Sequence, residues 1–137
     1  MKIIIQGDPV AKGRPKFARR GSFIATYTPA KTRKHEDIIR QAGIESMNGL
    51  EPLLVPLRVV IECFMPIPKS ISKKDRQGMI DGTICHTKRP DLDNLAKVID
   101  GLNGIVWKDD SQIVRLVVTK RYAENPRTEI LIEQFIN

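Results

Sequence analysis

The chain has 137 residues, 41% of them apolar and 28% charged, with a formal net charge of +7 at pH 7. That length supports one domain with a real core and no second one, so residues 1–137 are read as a single unit. No apolar run approaches the roughly 18 residues of a membrane span, and Met1–Asp8 lacks the apolar stretch of a secretory leader, so the expected location is the cytoplasm with no membrane partner. Cys63 and Cys85 form no C-x-x-C pair, and His35 and His86 stand at no zinc-ligand spacing, a pattern that suits a reducing compartment.

The charge is unevenly placed. Residues 1–40 carry ten Lys/Arg against three acids, whereas residues 41–137 carry 13 of each sign. An excess held in one segment reads as a footprint for a polyanion, since charge serving solubility alone is more evenly mixed.

In chain order, Lys2 to Gln6 is a β-branched run and predicts a first strand, closed by Pro9. Ala11 to Ser22 reads as a basic Gly/Pro loop, with Lys12, Arg14, Lys16, Arg19 and Arg20 as candidate contacts to DNA phosphates. Phe23 to Tyr27 predicts a short strand. Thr28-Pro29 then offers a cap and first-turn proline for a helix from Pro29 to Asn48, with Ile38, Ile39, Ala42 and Ile44 facing inward and His35 solvated. Leu57 to Met65 is the best strand in the chain, with Cys63 as a buried thiol. Ser70 to Gly78 reads as a short capped helix or basic loop, within a 66–84 stretch that could act as a flap. Gln112 to Tyr122 and Thr128 to Phe135 predict two strands joined as a hairpin across Glu124–Arg127. The order suggests an α+β fold, a small mixed or mostly antiparallel sheet packed by two main helices.

The chemistry concentrates between His86 and Ser111. Pro90 disfavours helix for the residue before it, so a helix is expected from Asp91, with Leu92, Leu95, Ile99 and Leu102 as an apolar stripe ending at Asn103-Gly104. Asp93, Lys97 and Asp100 fall on the opposite side of that helix. If Ile105-Val106-Trp107 returns the chain beside the helix start, Asp109 and Asp110 arrive near Asp91 and Asp93. Four carboxylates together repel unless protonated or sharing a cation, and an oxygen-only ligand set suits Mg²⁺ or Mn²⁺. A plainer reading stands beside this one. Asp91 is a good N-cap residue, Asp93 complements the helix dipole, Lys97 pairs with Asp93, and Asp109-Asp110-Ser111 is a polar turn.

The ordered set Lys88-Arg89-Pro90-Asp91-Leu92-Asp93-Asn94-Leu95-Ala96-Lys97, Asp100-Gly101-Leu102 and Val106-Trp107-Lys108-Asp109-Asp110-Ser111-Gln112-Ile113 resembles the signature of the RusA family. Gly13-Arg14-Pro15-Lys16 and Tyr27-Thr28-Pro29 resemble its members more loosely. The resemblance implies a RusA-like fold and a Holliday junction resolvase of DNA recombination and repair, of a kind common in prophages. Such an enzyme is an Mg²⁺-dependent homodimeric endodeoxyribonuclease that cuts four-way junctions by paired symmetric nicks. By position the metal-binding and catalytic carboxylates would be Asp91, Asp93 and Asp110, with Asp109 in the same motif and Lys97 as the basic catalytic residue. Lys88 and Arg89 would join the DNA-binding set.

Two rivals are distinguishable. A non-catalytic basic nucleic-acid-binding module explains the charge and leaves the acidic cluster without a purpose. An enzyme acting on a small phosphorylated substrate would be expected to show a P-loop or G-x-G-x-x-G motif, and neither is present. An EF-hand is excluded, because Ala96 and Leu102 stand where its loop requires Gly and Glu.

Overall fold

The computed structural model describes residues 1–12, 16–21, 23–27 and 30–137, and for 16–20 and 23–27 the backbone alone. Among the described residues, six strands and three α-helices follow in chain order: β1 (Lys2–Gln6), β2 (Lys16–Arg20), β3 (Phe23–Tyr27), α1 (Ala30–Met47), β4 (Leu57–Pro66), α2 (Lys73–Asp81), α3 (Leu92–Ala96), β5 (Ile113–Ala123) and β6 (Arg127–Gln134). Short 3₁₀ segments, Lys97–Leu102 and Asp110–Gln112, follow α3 and precede β5. The expected α+β architecture is present, with a mixed four-stranded sheet in the order β1-β6-β4-β5.

β4 organises that sheet. Leu57, Val59, Ile61, Cys63 and Met65 are buried while the residues between them are half-buried or exposed, the period-two signature of a strand with one face on the core. Fully burying a side chain such as Val59 or Ile61 contributes about 1.5–3 kcal/mol. Burial also pushes the Cys63 thiol up to about 11, so it is an inert core residue. β4 runs antiparallel to β6 on one side and parallel to β5 on the other. Glu124–Arg127 therefore does not close a hairpin, because β4 lies between the two C-terminal strands. A continuous buried face on β4 gains more from two neighbours than β5 and β6 gain from each other.

α1 covers the core face. Ile39, Gly43 and Met47 are buried at four-residue spacing, whereas Ile38 and Ile44, expected inside, are exposed. One residue is a rotation of about 100° on a helix, enough to move a side chain from core to solvent. Gly43 permits the close approach: a Cβ there would sit 2.8 Å from Leu102 Cδ2. The helix ends where Asn48 and Gly49 take left-handed backbone conformations. The expected start at Thr28-Pro29 lies outside the described residues.

Two segments differ from the sequence expectation in kind. The basic stretch is not simply a loop: β2 and β3 pair antiparallel, Lys16 opposite Tyr27 through Arg20 opposite Phe23, around Gly21 at φ +62°. Pairing satisfies the backbone locally, whatever the charge of the side chains. The helix after Pro90 is α-helical for one turn and then tightens to 3₁₀. Leu95, Val98 and Gly101 are buried at three-residue intervals, as three residues per turn requires, and Leu92 of the expected stripe is exposed.

Candidate functional site

Asp91 holds the N-cap position of α3, with extended backbone (φ −72°, ψ 150°) and its carbonyl accepting from the Leu95 N–H at 3.1 Å. Its carboxylate makes no capping hydrogen bond. Asp93 lies in the first turn, and both side chains are exposed. One end of a short helix therefore presents two carboxylates to solvent. Lys97 follows one turn on, its Nζ 3.2 Å from Asn94 Oδ1 and not on Asp93. Lys88 and Arg89 are exposed immediately before the pair.

Asp109 behaves differently. It too is an N-cap, but its Oδ2 accepts from the Ser111 N–H at 3.1 Å, and Gln112 Oε1 accepts from the Asp109 N–H at 2.9 Å, a reciprocal capping box. Hydrogen bonding by Ser111 holds the Asp109 carboxyl below the usual range. Gln112 Nε2 also donates to the carbonyls of Leu53 and Val55, which ties this turn to the entry of β4. For Asp109 the plainer reading is the structural one, a cap. Asp110 follows it, partly buried.

The two acidic sets do not meet within one chain. Ile105–Trp107 returns beside the end of the helical segment, not its start: Trp107 bridges to Asn103 and Leu53, and its indole N–H donates to Asn103 Oδ1 at 2.6 Å. Asp110 thus lies just before Ile113, the first residue of β5. The Asp91 end lies near the other end of that strand, where Lys120 Nζ donates to the carbonyls of Lys88 (2.6 Å) and Pro90 (2.9 Å). Ile113 and Lys120 are seven residues apart on an extended strand, roughly 23 Å at about 3.3 Å per residue. Among the described residues no group of three or more His, Cys, Asp or Glu is arranged to hold a metal ion.

One of the candidate DNA contacts, Lys12, has partners within the fold. Lys12 Nζ lies 3.0 Å from Asp100 Oδ2 and 3.7 Å from Glu36 Oε1, and the hydrogen bond to Asp100 raises its pKa. It is engaged in an ion pair within the fold. The Lys12 backbone N–H donates to the Asn94 carbonyl at 3.4 Å, which sets Lys12 beside the residue that follows Asp93. Arg14 lies outside the described residues, and the side chains of Lys16, Arg19 and Arg20 on β2 are likewise outside the description. His35 is half-buried, not solvated, its Nε2 without a partner among the described residues, and burial lowers its pKa.

Lys120 is the site residue that local sequence reasoning missed. A signal was present: it falls on the same strand parity as Leu116, Val118 and Tyr122, opposite the buried Val59, Ile61, Cys63 and Met65, where a cation is out of place unless it is held.

The oxygen-only pair Asp91 and Asp93 fits a hard divalent ion, which is commonly bound by one or two carboxylates with water and phosphate completing the shell. Residues 6–133 match the family model of the endodeoxyribonuclease RusA. The chain is also 36% identical over 138 aligned positions to the uncharacterized protein YqaN of Bacillus subtilis (strain 168), covering 98% of this chain and 96% of that one. With the match spanning almost the entire length, this chain belongs to the RusA endodeoxyribonuclease family.

Proposed function

We propose that the protein is a Mg²⁺-dependent, structure-specific endonuclease that resolves Holliday junctions by paired symmetric nicks, acting as a homodimer. The observation that carries the reading is the juxtaposition at Asn94. The uncapped Asp91 and exposed Asp93 stand beside the point where the Lys12 N–H meets the Asn94 carbonyl, and the exposed Lys88, Arg89 and Lys97 flank them in the chain. Carboxylates suited to a cation and cations suited to a phosphate backbone thus neighbour one another along this segment, which supports the reading.

Asp91 and Asp93 would hold the ion, and a divalent ion bound there supplies Lewis-acid polarisation of the scissile phosphate. Lys97 adds positive charge one helical turn away, where it can stabilise the charge that builds on phosphorus-bound oxygens. Lys88 and Arg89 grip neighbouring phosphates, and the β2–β3 hairpin extends the grip along a DNA arm. Asp110 enters from a second copy. β5 is an edge strand with Val114 and Leu116 exposed, and an edge of this kind is a template for another strand. Antiparallel pairing of β5 with its mate about a two-fold axis sets the start of one strand beside the end of the other, bringing the partner's Asp110 toward Asp91 and Asp93. A symmetric junction with two cuts matches a dimer with two such sites.

The direct test incubates the protein with a labelled four-way junction, with and without Mg²⁺, beside the single variants Asp91→Asn and Asp93→Asn. The expected result is symmetric cleavage in Mg²⁺, lost in both variants while junction binding persists. A wild-type protein that binds junctions and cuts no branched DNA in Mg²⁺ or Mn²⁺ would establish the non-catalytic binding module instead.

A further inference from the structure

The structure assigns Lys120 the role of a positioning residue that fixes the Asp91–Asp93 carboxylates from beneath. This inference rests on the proposed role of those two carboxylates. Lys120 projects from β5 on the core-facing side, level with Cys63, and is partly buried there. Among the described residues no carboxylate lies within ion-pair distance of it. Its ammonium instead donates to two main-chain carbonyls, those of Lys88 at 2.6 Å and Pro90 at 2.9 Å, which straddle Arg89 and immediately precede Asp91.

Among the described residues, the segment so held has little else to hold it. Cys85–Pro90 contributes to no strand or helix. Its other anchor is His86, buried with its ring 4.8 Å from that of Tyr122. Tyr122 stands two residues beyond Lys120 on the same face of β5, so one strand end supplies both attachments. A carbonyl pair gripped by one ammonium sets the direction in which the chain enters α3, and hence where the Asp91 carboxylate emerges. Groups that orient metal ligands in this way typically change metal affinity or activity by roughly 10–100-fold when removed. β5 accordingly serves both halves of the site: Lys120 sets the acidic pair of its own chain, and Asp110 is presented at the opposite end.

The test compares Lys120→Met, which keeps the aliphatic stem and loses the ammonium, with Lys120→Gln, which keeps a donor. Three quantities are read: amide exchange over residues 88–95, the Mg²⁺ concentration for half-maximal junction cleavage, and junction affinity without metal. For Lys120→Met we expect faster exchange over 88–95, a Mg²⁺ requirement raised roughly 10–100-fold, and unchanged metal-free affinity. Lys120→Gln should fall between the wild type and Lys120→Met, and it decides the matter if the Met variant does not fold. Unchanged exchange and Mg²⁺ requirement overturn the proposal. A loss of metal-free affinity that accounts for the lost cleavage also overturns it, since Lys120 is then a DNA contact. If the wild type cuts no branched DNA, the nuclease reading fails by itself, and the exchange comparison still decides whether Lys120 fixes the segment.

Discussion

Lys12 Nζ lies 3.0 Å from Asp100 Oδ2, a contact that joins the root of the basic N-terminal segment to the 3₁₀ turn behind the acidic pair. It engages a candidate DNA-contacting cation with a carboxylate inside the fold. Lys12→Met should therefore leave the salt dependence of junction binding unchanged and lower stability by roughly 0.2–1 kcal/mol, as for a solvent-accessible ion pair. Lys88→Met, removing an exposed cation beside Asp91, should reduce the slope of log K against log[salt] by about 1. Fluorescence titrations across a salt series, with thermal melts of both variants, check the pair. A reduced slope for Lys12→Met would return it to the DNA-binding set.

Placement of Asp110 at the far end of β5 predicts complementation between inactive variants. Asp91→Asn and Asp110→Asn should each abolish cleavage alone. Mixed and allowed to exchange subunits, they form heterodimers with one intact site, so the mixture regains nicking of a cruciform plasmid without paired resolution. Gel separation of nicked from linear product reads the outcome. A mixture as inactive as its components, with exchange verified, would mean each chain completes its own site or that Asp110 acts elsewhere.

Gly101 packs the 3₁₀ segment onto α1. A Cβ there would meet Ile39 Cγ2 at 2.9 Å and Ile39 Cβ at 3.2 Å. Ile39 is buried and β-branched, with little freedom to turn aside. Gly101→Ala should destabilise by about 1–3 kcal/mol through overpacking, measured by urea unfolding at pH 7. An unchanged midpoint would show that α1 moves away without loss.

His35 and His86 both have lowered pKa values, chiefly through burial. Nearby Lys120 and Lys88 add to the effect at His86, whereas Glu36 opposes it at His35. The unfolded chain thus takes up protons near pH 6.5 before the folded one does. Stability from this source is complete above pH 6.5 and is lost as pH falls through the lower folded-state values. Melting temperature should drop from pH 7 to pH 5, and His86→Phe, which retains an aromatic ring against Tyr122, should flatten the drop. An unaltered slope in that variant would mean His86 titrates normally in the fold.

Much of the secondary structure was legible because its causes are local. Alternating burial on β4, the β-branched run of β1 and the Asn48-Gly49 stop after α1 depend on residues a few positions apart. The acidic signature and the basic N-terminal third are likewise fixed by residue type and order, and they were enough to indicate the family. The 3₁₀ tightening after Ala96 was not legible, since it follows from fitting Val98 and Gly101 against α1.

Partnership was decided only in three dimensions. Insertion of β4 between β5 and β6, the pairing of Lys12 with Asp100, and the grip of Lys120 on the Lys88 and Pro90 carbonyls each join segments distant in the chain. The same holds for the fates of four similar aspartates. Asp109 is used as a cap, Asp91 occupies a cap position without capping, Asp93 faces solvent, and Asp110 stands at the far end of a strand. Sequence sets which charges exist and the period of each element. Tertiary packing decides which charges meet, because an ionised group is drawn to whichever partner the burial of apolar faces brings within reach.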